Sequence, residues 1–246
     1  MLCIVILTMK EYKHLFFDLD KTIAPSRQPM LPEMYELLSS TDKTITIVSG
    51  STLEQMIFQS NNLPAIRLGQ NGNHAIDIDG TLLWNELLSE DHRAEILDHI
   101  NEVVEILDHE LNHEWNPIED RGAQITFSPI GNTAPVTLKT NYDPDRLKRE
   151  SLLRQIPFAS RDLVVVIGGS TSLDYIHRDR HKGTNVQKII NHKGWNNDDC
   201  VYFGDGLYPG GNDEAVIGVI DTVSVESHLE TYDKLLKMLS AHQLTP

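Results

Sequence analysis

Asp18 and Asp20 stand two residues apart at the end of the apolar run HLFF, with Thr22 following. On an extended chain, residues two apart point to the same side. Carboxylates held together repel, and a divalent cation or a raised pKa on one of them relieves the repulsion. A donor set made only of oxygen favours Mg2+. Alone, the pair also reads as a solvated strand end. The segment FGDGLYPGGNDEAV adds Asp205 directly after a second apolar run, then Asn212 and Asp213 beyond a Gly-rich loop. GDG by itself reads as a turn, but sites in a parallel sheet lie beyond the carboxyl ends of strands. Asp18 and Asp205 are therefore expected to converge and offer a metal ligands from two strands. Ser49 ends a third run, TITIV, where its hydroxyl and the Gly50 amide can bind an anion beside a helix start. Lys182, ahead of GTNVQKIINH, brings a positive charge to balance carboxylates and a phosphoryl group. A helix-cap hydroxyl and a surface lysine are the plainer readings of those two residues.

Positioning these groups takes a sheet. HLFF, TITIV, LVVVIGG and CVYFG are β-branched or aromatic runs that stop at small or acidic residues, as buried parallel strands do. ELLSS, TLEQMIFQ and GTNVQKIINH supply helical crossovers between strands. The middle of the chain reads differently. HAIDIDGTLLW carries the Asp-Gly signature of a hairpin. HRAEILDHINEVVEILDHEL repeats its apolar residues at helical spacing. RGAQITFSPIG, VTLKTNY, the basic stretch DPDRLKRESLLRQI and LVVVIGGSTSLDYIH follow. The expected fold is an α/β, doubly wound parallel sheet core from residues 1–76 and 177–246, with an α+β domain inserted at 77–176.

The 246 residues carry 36 acidic against 21 basic side chains, a formal charge of −15. Such a balance repels phosphate backbones and anionic lipid, so neither nucleic acid nor a membrane surface is an expected partner. No stretch reaches the roughly 20 apolar residues of a membrane helix. The opening MLCIVILTM is short and lacks a preceding basic region, so it reads as a ragged start or an alternative initiation site, not a targeting segment. Two cysteines, Cys3 and Cys200, are too few for a disulfide framework, and a reducing cytoplasmic setting is the simpler inference.

In chain order, D-x-D-x-T, a strand ending in Ser, a Lys and then G-D-x(6)-N-D resemble the haloacid dehalogenase superfamily of aspartate-nucleophile phosphotransferases. DLDKTIAPSRQ, GQNGNHAIDIDGTLL, RGAQITF, SPIG, IGGSTSLDY and GDGLYPGGND further resemble its phosphomannomutase-like branch, which carries a large cap between the second and third motifs. The resemblance implies a Rossmann-like core and makes Asp18 the nucleophile that forms an aspartyl-phosphate. Asp20 becomes the general acid and base. It also implies that Mg2+ is held by Asp18, the Asp20 backbone carbonyl and Asp205, with Asn212 and Asp213 in support. Thr22, Ser49, Gly50 and Lys182 would hold phosphoryl oxygens. Arg27, Arg121, Ser172 and Asp174 would contact a sugar-like substrate.

Three departures from that pattern stand out. Lys21 replaces a glycine, His181 replaces an acidic residue before the lysine, and Asn132 stands after Gly131 where the mutase has an arginine. Arg121 and Lys139 remain on the insert, and Arg146 or Arg149 could swing in. With the grip on a second phosphate weakened, the expected activity is Mg2+-dependent hydrolysis of a small phosphorylated metabolite, a sugar phosphate first. A hexose phosphomutase interconverting 1- and 6-phosphates is the alternative. A non-catalytic binding scaffold is the reading from outside the enzymes.

Overall fold

The structure is a computed structural model that describes residues 10–107 and 111–242. The opening MLCIVILTM, with Cys3, lies outside the described residues. The chain enters on β1 (His14–Phe17), crosses by α1 (Pro32–Ser40) to β2 (Thr44–Val48) and by α2 (Leu53–Gln59) to β3 (Ile66–Gly69). A hairpin of β4 (His74–Ile76) and β5 (Leu82–Asn85) follows. The middle section comprises α3 (Glu90–Glu105), β6 (Ile118–Asp120), β7 (Gln124–Phe127), α4 (Val136–Tyr142), α5 (Leu147–Gln155), β8 (Leu163–Gly168) and β9 (Ser172–His177). Then come α6 (Lys182–Lys193), β10 (Cys200–Gly204), β11 (Asp221–Ser224) and α7 (His228–His242).

Two sheets result. The larger has the order β11-β10-β1-β2-β3-β4-β5, parallel from β11 to β3 and antiparallel at β4 and β5. From β1 the chain first moves toward β2, and it returns late to β10 on the other side. That reversal of strand order is where ligands bind in α/β sheets. The strands are buried because helices cover both faces. Leu15, Phe17, Ile47 and Phe203 pack with Met34 and Leu38 of α1 and Leu235 of α7, while Phe16, Val48 and Tyr202 pack with Val186, Ile189 and Ile190 of α6.

The smaller sheet, β6-β7-β9-β8, is antiparallel throughout. Its outer face packs Ile125, Phe127, Leu173 and Tyr175 against Ile96, Ile100 and Val103 of α3. The other face, carrying Gln124, Thr126, Asp174 and Val166, looks toward the large sheet: Asn71, next to β3, donates to Gln124 at 2.7 Å.

Two details differ from the sequence reading. The insert start expected at 77 falls inside the β4–β5 hairpin, whose second strand stays on the large sheet, so the second sheet begins at β6. The Asp-Gly turn, closed by Asp77 N to Thr81 O at 2.8 Å, is tight enough to fold the chain back onto the same edge. LVVVIGG, grouped by its apolar run with the parallel strands, is the antiparallel edge strand β8. Periodicity cannot separate the two cases, because Val165 and Ile167 face the packed side while Val164 and Val166 line a cavity on the other.

Candidate active site

Strand ends bring the acidic groups together. The Asp18 amide donates to Phe203 O at 2.9 Å, fixing the end of β1 beside that of β10. Lys182, the first residue of α6, puts Nζ 2.5 Å from Asp18 Oδ1 and 2.7 Å from Asp213 Oδ1. All three side chains are buried. The Tyr202 hydroxyl also donates to Asp213 Oδ1 (2.7 Å), and the Gly206 amide donates to its Oδ2 (3.0 Å). A Cβ on Gly211 would lie 2.0 Å from the Gly206 carbonyl oxygen, so this loop closes only around glycine.

Carboxylate oxygens of Asp18, Asp205 and Asp213 lie within 4.8 Å of one another. Burial, with Asp213 and Asp205 adding repulsion, holds Asp18 well above the ordinary carboxylate range despite Lys182. Burial and Asp213 likewise raise Asp205. Burial alone would lower the Lys182 pKa, but Asp18 and Asp213 outweigh it and raise it, so the lysine is a permanent cation. One buried lysine against three carboxylates leaves a deficit of positive charge. An all-oxygen cluster in that state fits a hard divalent cation.

Asp20 does not join this cluster. Its Oδ1 accepts from the Arg27 amide at 2.6 Å and from Gln59 Nε2 at 3.0 Å. The condition for a same-side pair, an extended chain, is not met: the strand ends at Phe17, and the amides of Ile23 and Ala24 both turn back to Leu19 O at 3.1 Å. Lys21 sits in this turn at φ 59°, with its Nζ 3.9 Å from Asp205. A glycine adopts that left-handed conformation without the Cβ penalty.

Thr22 is fully buried, and its Oγ1 accepts from the Asp205 amide at 3.2 Å, tying the two acidic loops together. Ser49, buried at the end of β2, accepts the Ser51 amide on Oγ at 3.1 Å. Gly50 contributes its carbonyl, which accepts from Arg121 Nη1 at 2.9 Å and so joins the two sheets. His181 is the N-cap of α6, accepting the Thr184 amide on Nδ1 at 3.4 Å. Burial lowers its pKa, which keeps the imidazole in the neutral form that this cap needs.

On the small sheet, Arg121 is paired with Glu119 at 2.8 Å, and its buried Nε has no partner among the described residues. Lys139 donates to Asn132 O at 2.9 Å. Burial, followed by the nearby charges of Arg27 and Arg121, pulls the Lys139 pKa down to about 8. Arg27, Arg121 and Lys139 thus form one cationic group. Asp174 accepts from Thr126 Oγ1 at 2.9 Å, and burial raises its pKa. The Ser172 carbonyl accepts from Arg149. Arg149 cannot swing into the cleft: it is fully buried, paired with Asp143 at 2.7 Å and bonded to the carbonyls of Gly168 and Gly169. Arg146 is held on Gly210 O at 2.7 Å. Asn132 turns inward, donating to the carbonyls of Asn116 and Pro117.

Gln59 and Tyr202 were missed from the sequence. Tyr202 left a signal, since a tyrosine inside a buried strand needs a partner for its hydroxyl. Gln59, in the run QSNN, left none.

The chain is 28% identical over 226 residues to a phosphomannomutase of Drosophila melanogaster, covering 85% of this chain and 88% of that one. It is 27% identical over 222 residues to a phosphomannomutase of Triticum aestivum, covering 81% and 84%. Among solved structures, SMU.1108c from Streptococcus mutans superposes with a TM-score of 0.66 at 17% identity, covering 94% of this chain and all of that one. A haloacid dehalogenase-like hydrolase from B. subtilis gives 0.64 at 12%, covering 95% of this chain and all of its own. At such identities these structures establish the fold alone. The family model for eukaryotic phosphomannomutase matches residues 34–241, and the chain belongs to that family, within the haloacid dehalogenase superfamily.

Proposed function

We propose that the protein moves a phosphoryl group between the 1- and 6-hydroxyls of a hexose through an aspartyl-phosphate on Asp18. The family relation and the relatives' names favour this over the hydrolase first expected from the sequence. The observation that carries it is Arg121, which is buried, tied to Gly50 across the two sheets, left with an unpartnered Nε, and set beside Lys139 and Arg27. A guanidinium so placed is suited to a second phosphate. In this reading the small sheet with its helices is a cap over the core.

Asp18 attacks phosphorus while Asp20 gives its proton to the departing sugar oxygen. Arg27 N and Gln59 hold Asp20 Oδ1, which leaves Oδ2 to carry that proton. In the second half, Asp20 takes the proton from the incoming hydroxyl, that oxygen bonds to phosphorus, and the Asp18–phosphorus bond breaks. Lys182, Ser49 and the Gly50 amide hold the phosphoryl oxygens, and Tyr202 orients Asp213. Asp18, Asp205, Asp213, Asn212 and the Asp20 carbonyl would hold Mg2+, which would neutralise charge between the carboxylate and the phosphate dianion. A cytoplasmic setting completes the proposal; Cys200 is a buried free thiol, and among the described residues no helix is long and apolar enough to cross a membrane.

Hydrolysis remains the second reading on a specific observation: Asn132 is turned inward and Arg149 is locked, which leaves the grip on a distal phosphate to Arg121, Lys139 and Arg27. The test is to supply Mg2+, mannose or glucose 1-phosphate and a trace of the 1,6-bisphosphate. The 6-phosphate should accumulate with little free phosphate. Free phosphate as the main product would favour the hydrolase. No turnover of any ester would favour a non-catalytic scaffold.

A further inference from the structure

The cap face is not uniform. Register places Glu119 opposite Thr126, Thr126 opposite Asp174, and Asp174 opposite Val166, so these four residues form one row across β6, β7, β9 and β8. The next row runs Gln124, Ile176, Val164. Each row passes from polar side chains on β7 to aliphatic ones on β8. Val165 and Ile167 pack into the cap's own core, whereas Val164 and Val166 belong to no packed cluster and are half-buried. They line a cavity of about 300 Å3 together with Ile176, Lys182 and Asn212.

The cavity therefore opens on the reacting groups, since Lys182 touches both it and Asp18. Most of its polar rim is already engaged. Arg178 Nη2 donates to the carbonyls of Ser160 and Leu163, Glu214 accepts the Gly210 amide, and Asp174 accepts from Thr126. His181 accepts the Thr184 amide on Nδ1. A sugar hydroxyl entering at the β8 side would lose water and gain few partners, which costs free energy. A ring or chain of carbon atoms loses nothing there and removes valine and isoleucine surface from water.

We infer that the β8 side of the cleft is a subsite for an apolar substituent, and that the protein accepts phosphate monoesters whose alcohol portion carries an apolar ring or chain. Phosphate sits at Lys182 and the substituent lies against Val164, Val166 and Ile176. The inference rests on the phosphotransfer site proposed above, and the test separates the two. Binding of methylphosphonate and of naphthylmethylphosphonate to the full chain is measured calorimetrically with Mg2+ present. The naphthyl compound should bind at least tenfold more tightly. In Val164→Thr/Val166→Thr, which keeps side-chain shape and adds hydroxyls, that ratio should fall below threefold, with an unchanged circular dichroism spectrum confirming the fold. Val166→Ser alone should lower the ratio in the same direction. Equal affinity for the two phosphonates in the parent protein overturns the subsite while leaving the phosphoryl site standing. A preference that survives both variants also overturns it. If neither phosphonate binds, the phosphotransfer reading fails and the subsite fails with it.

Discussion

The floor of the cleft and its roof are built in different ways. On the floor, Asp18, Lys182 and Asp213 are buried and bonded to one another, held on the ends of β1 and β10 and at the start of α6. On the roof, Arg27, Arg121 and Lys139 come from three separate segments, and Arg121 keeps a buried Nε without a partner. The floor's side chains bond to one another, whereas the roof keeps hydrogen-bonding capacity unused. A fixed floor suits one chemical step on phosphorus, while a roof with open hydrogen-bonding capacity suits choosing what the phosphate is attached to.

If that division is right, floor and roof variants should fail differently. Asp18→Asn should lower turnover of every phosphate ester by roughly 1000-fold or more and leave the fold intact, because it removes the nucleophile from a strand end. A tenth of the parent rate surviving would break the assignment. Lys182→Ala should lower both rate and stability, the latter by about 3 kcal/mol in urea unfolding, since two buried carboxylates lose their counter-charge. A stable, inactive variant would mean that the lysine serves chemistry alone. Arg121→Ala should do something else: phosphoryl transfer from an aryl phosphate should persist, while the ratio of free phosphate to isomerised sugar rises by roughly tenfold. Equal loss on both substrates would erase the distinction between roof and floor.

Smaller effects sharpen the comparison. Lys139, with its pKa pulled down to about 8, is protonated below that pH and loses its charge above it. Affinity for a sugar bisphosphate should therefore be greatest below pH 8 and weaken several-fold by pH 9.5, and Lys139→Arg should flatten that profile. Lys21→Gly should raise stability by about 0.5–1 kcal/mol in urea unfolding, because it relieves a left-handed residue next to the floor. Unchanged stability would mean that the turn is not strained.

The same division explains what could be read from the sequence. Floor residues follow β-branched or aromatic runs at fixed spacing, so HLFF-D, TITIV-S and CVYFG-D announce both the strand and the group at its end. The spacing of Asp18 and Asp20 does not by itself place Asp20, because the chain leaves the strand at Phe17 and Asp20 Oδ1 bonds to Arg27 N and Gln59. Roof residues depend on register between strands far apart in the chain. Asp174 meets Thr126 across β7 and β9, and Arg121 meets Gly50 across the two sheets, and no local pattern encodes either contact. Arg146 and Arg149 lie together in a basic stretch, yet Asp143 and the carbonyls of Gly168, Gly169 and Ser172 fix Arg149. Their count was visible, but their commitments were not.

In the proposed reaction the roof returns the phosphoryl group to sugar rather than to water. Its most direct measurement is the partition ratio: with Mg2+ and a trace of hexose 1,6-bisphosphate, count molecules of hexose 1-phosphate isomerised per molecule of free phosphate released. Many isomerisations per hydrolysis are expected, with the ratio collapsing in Arg121→Ala. A parent enzyme that releases phosphate faster than it isomerises, with a ratio unmoved by that variant, would contradict it.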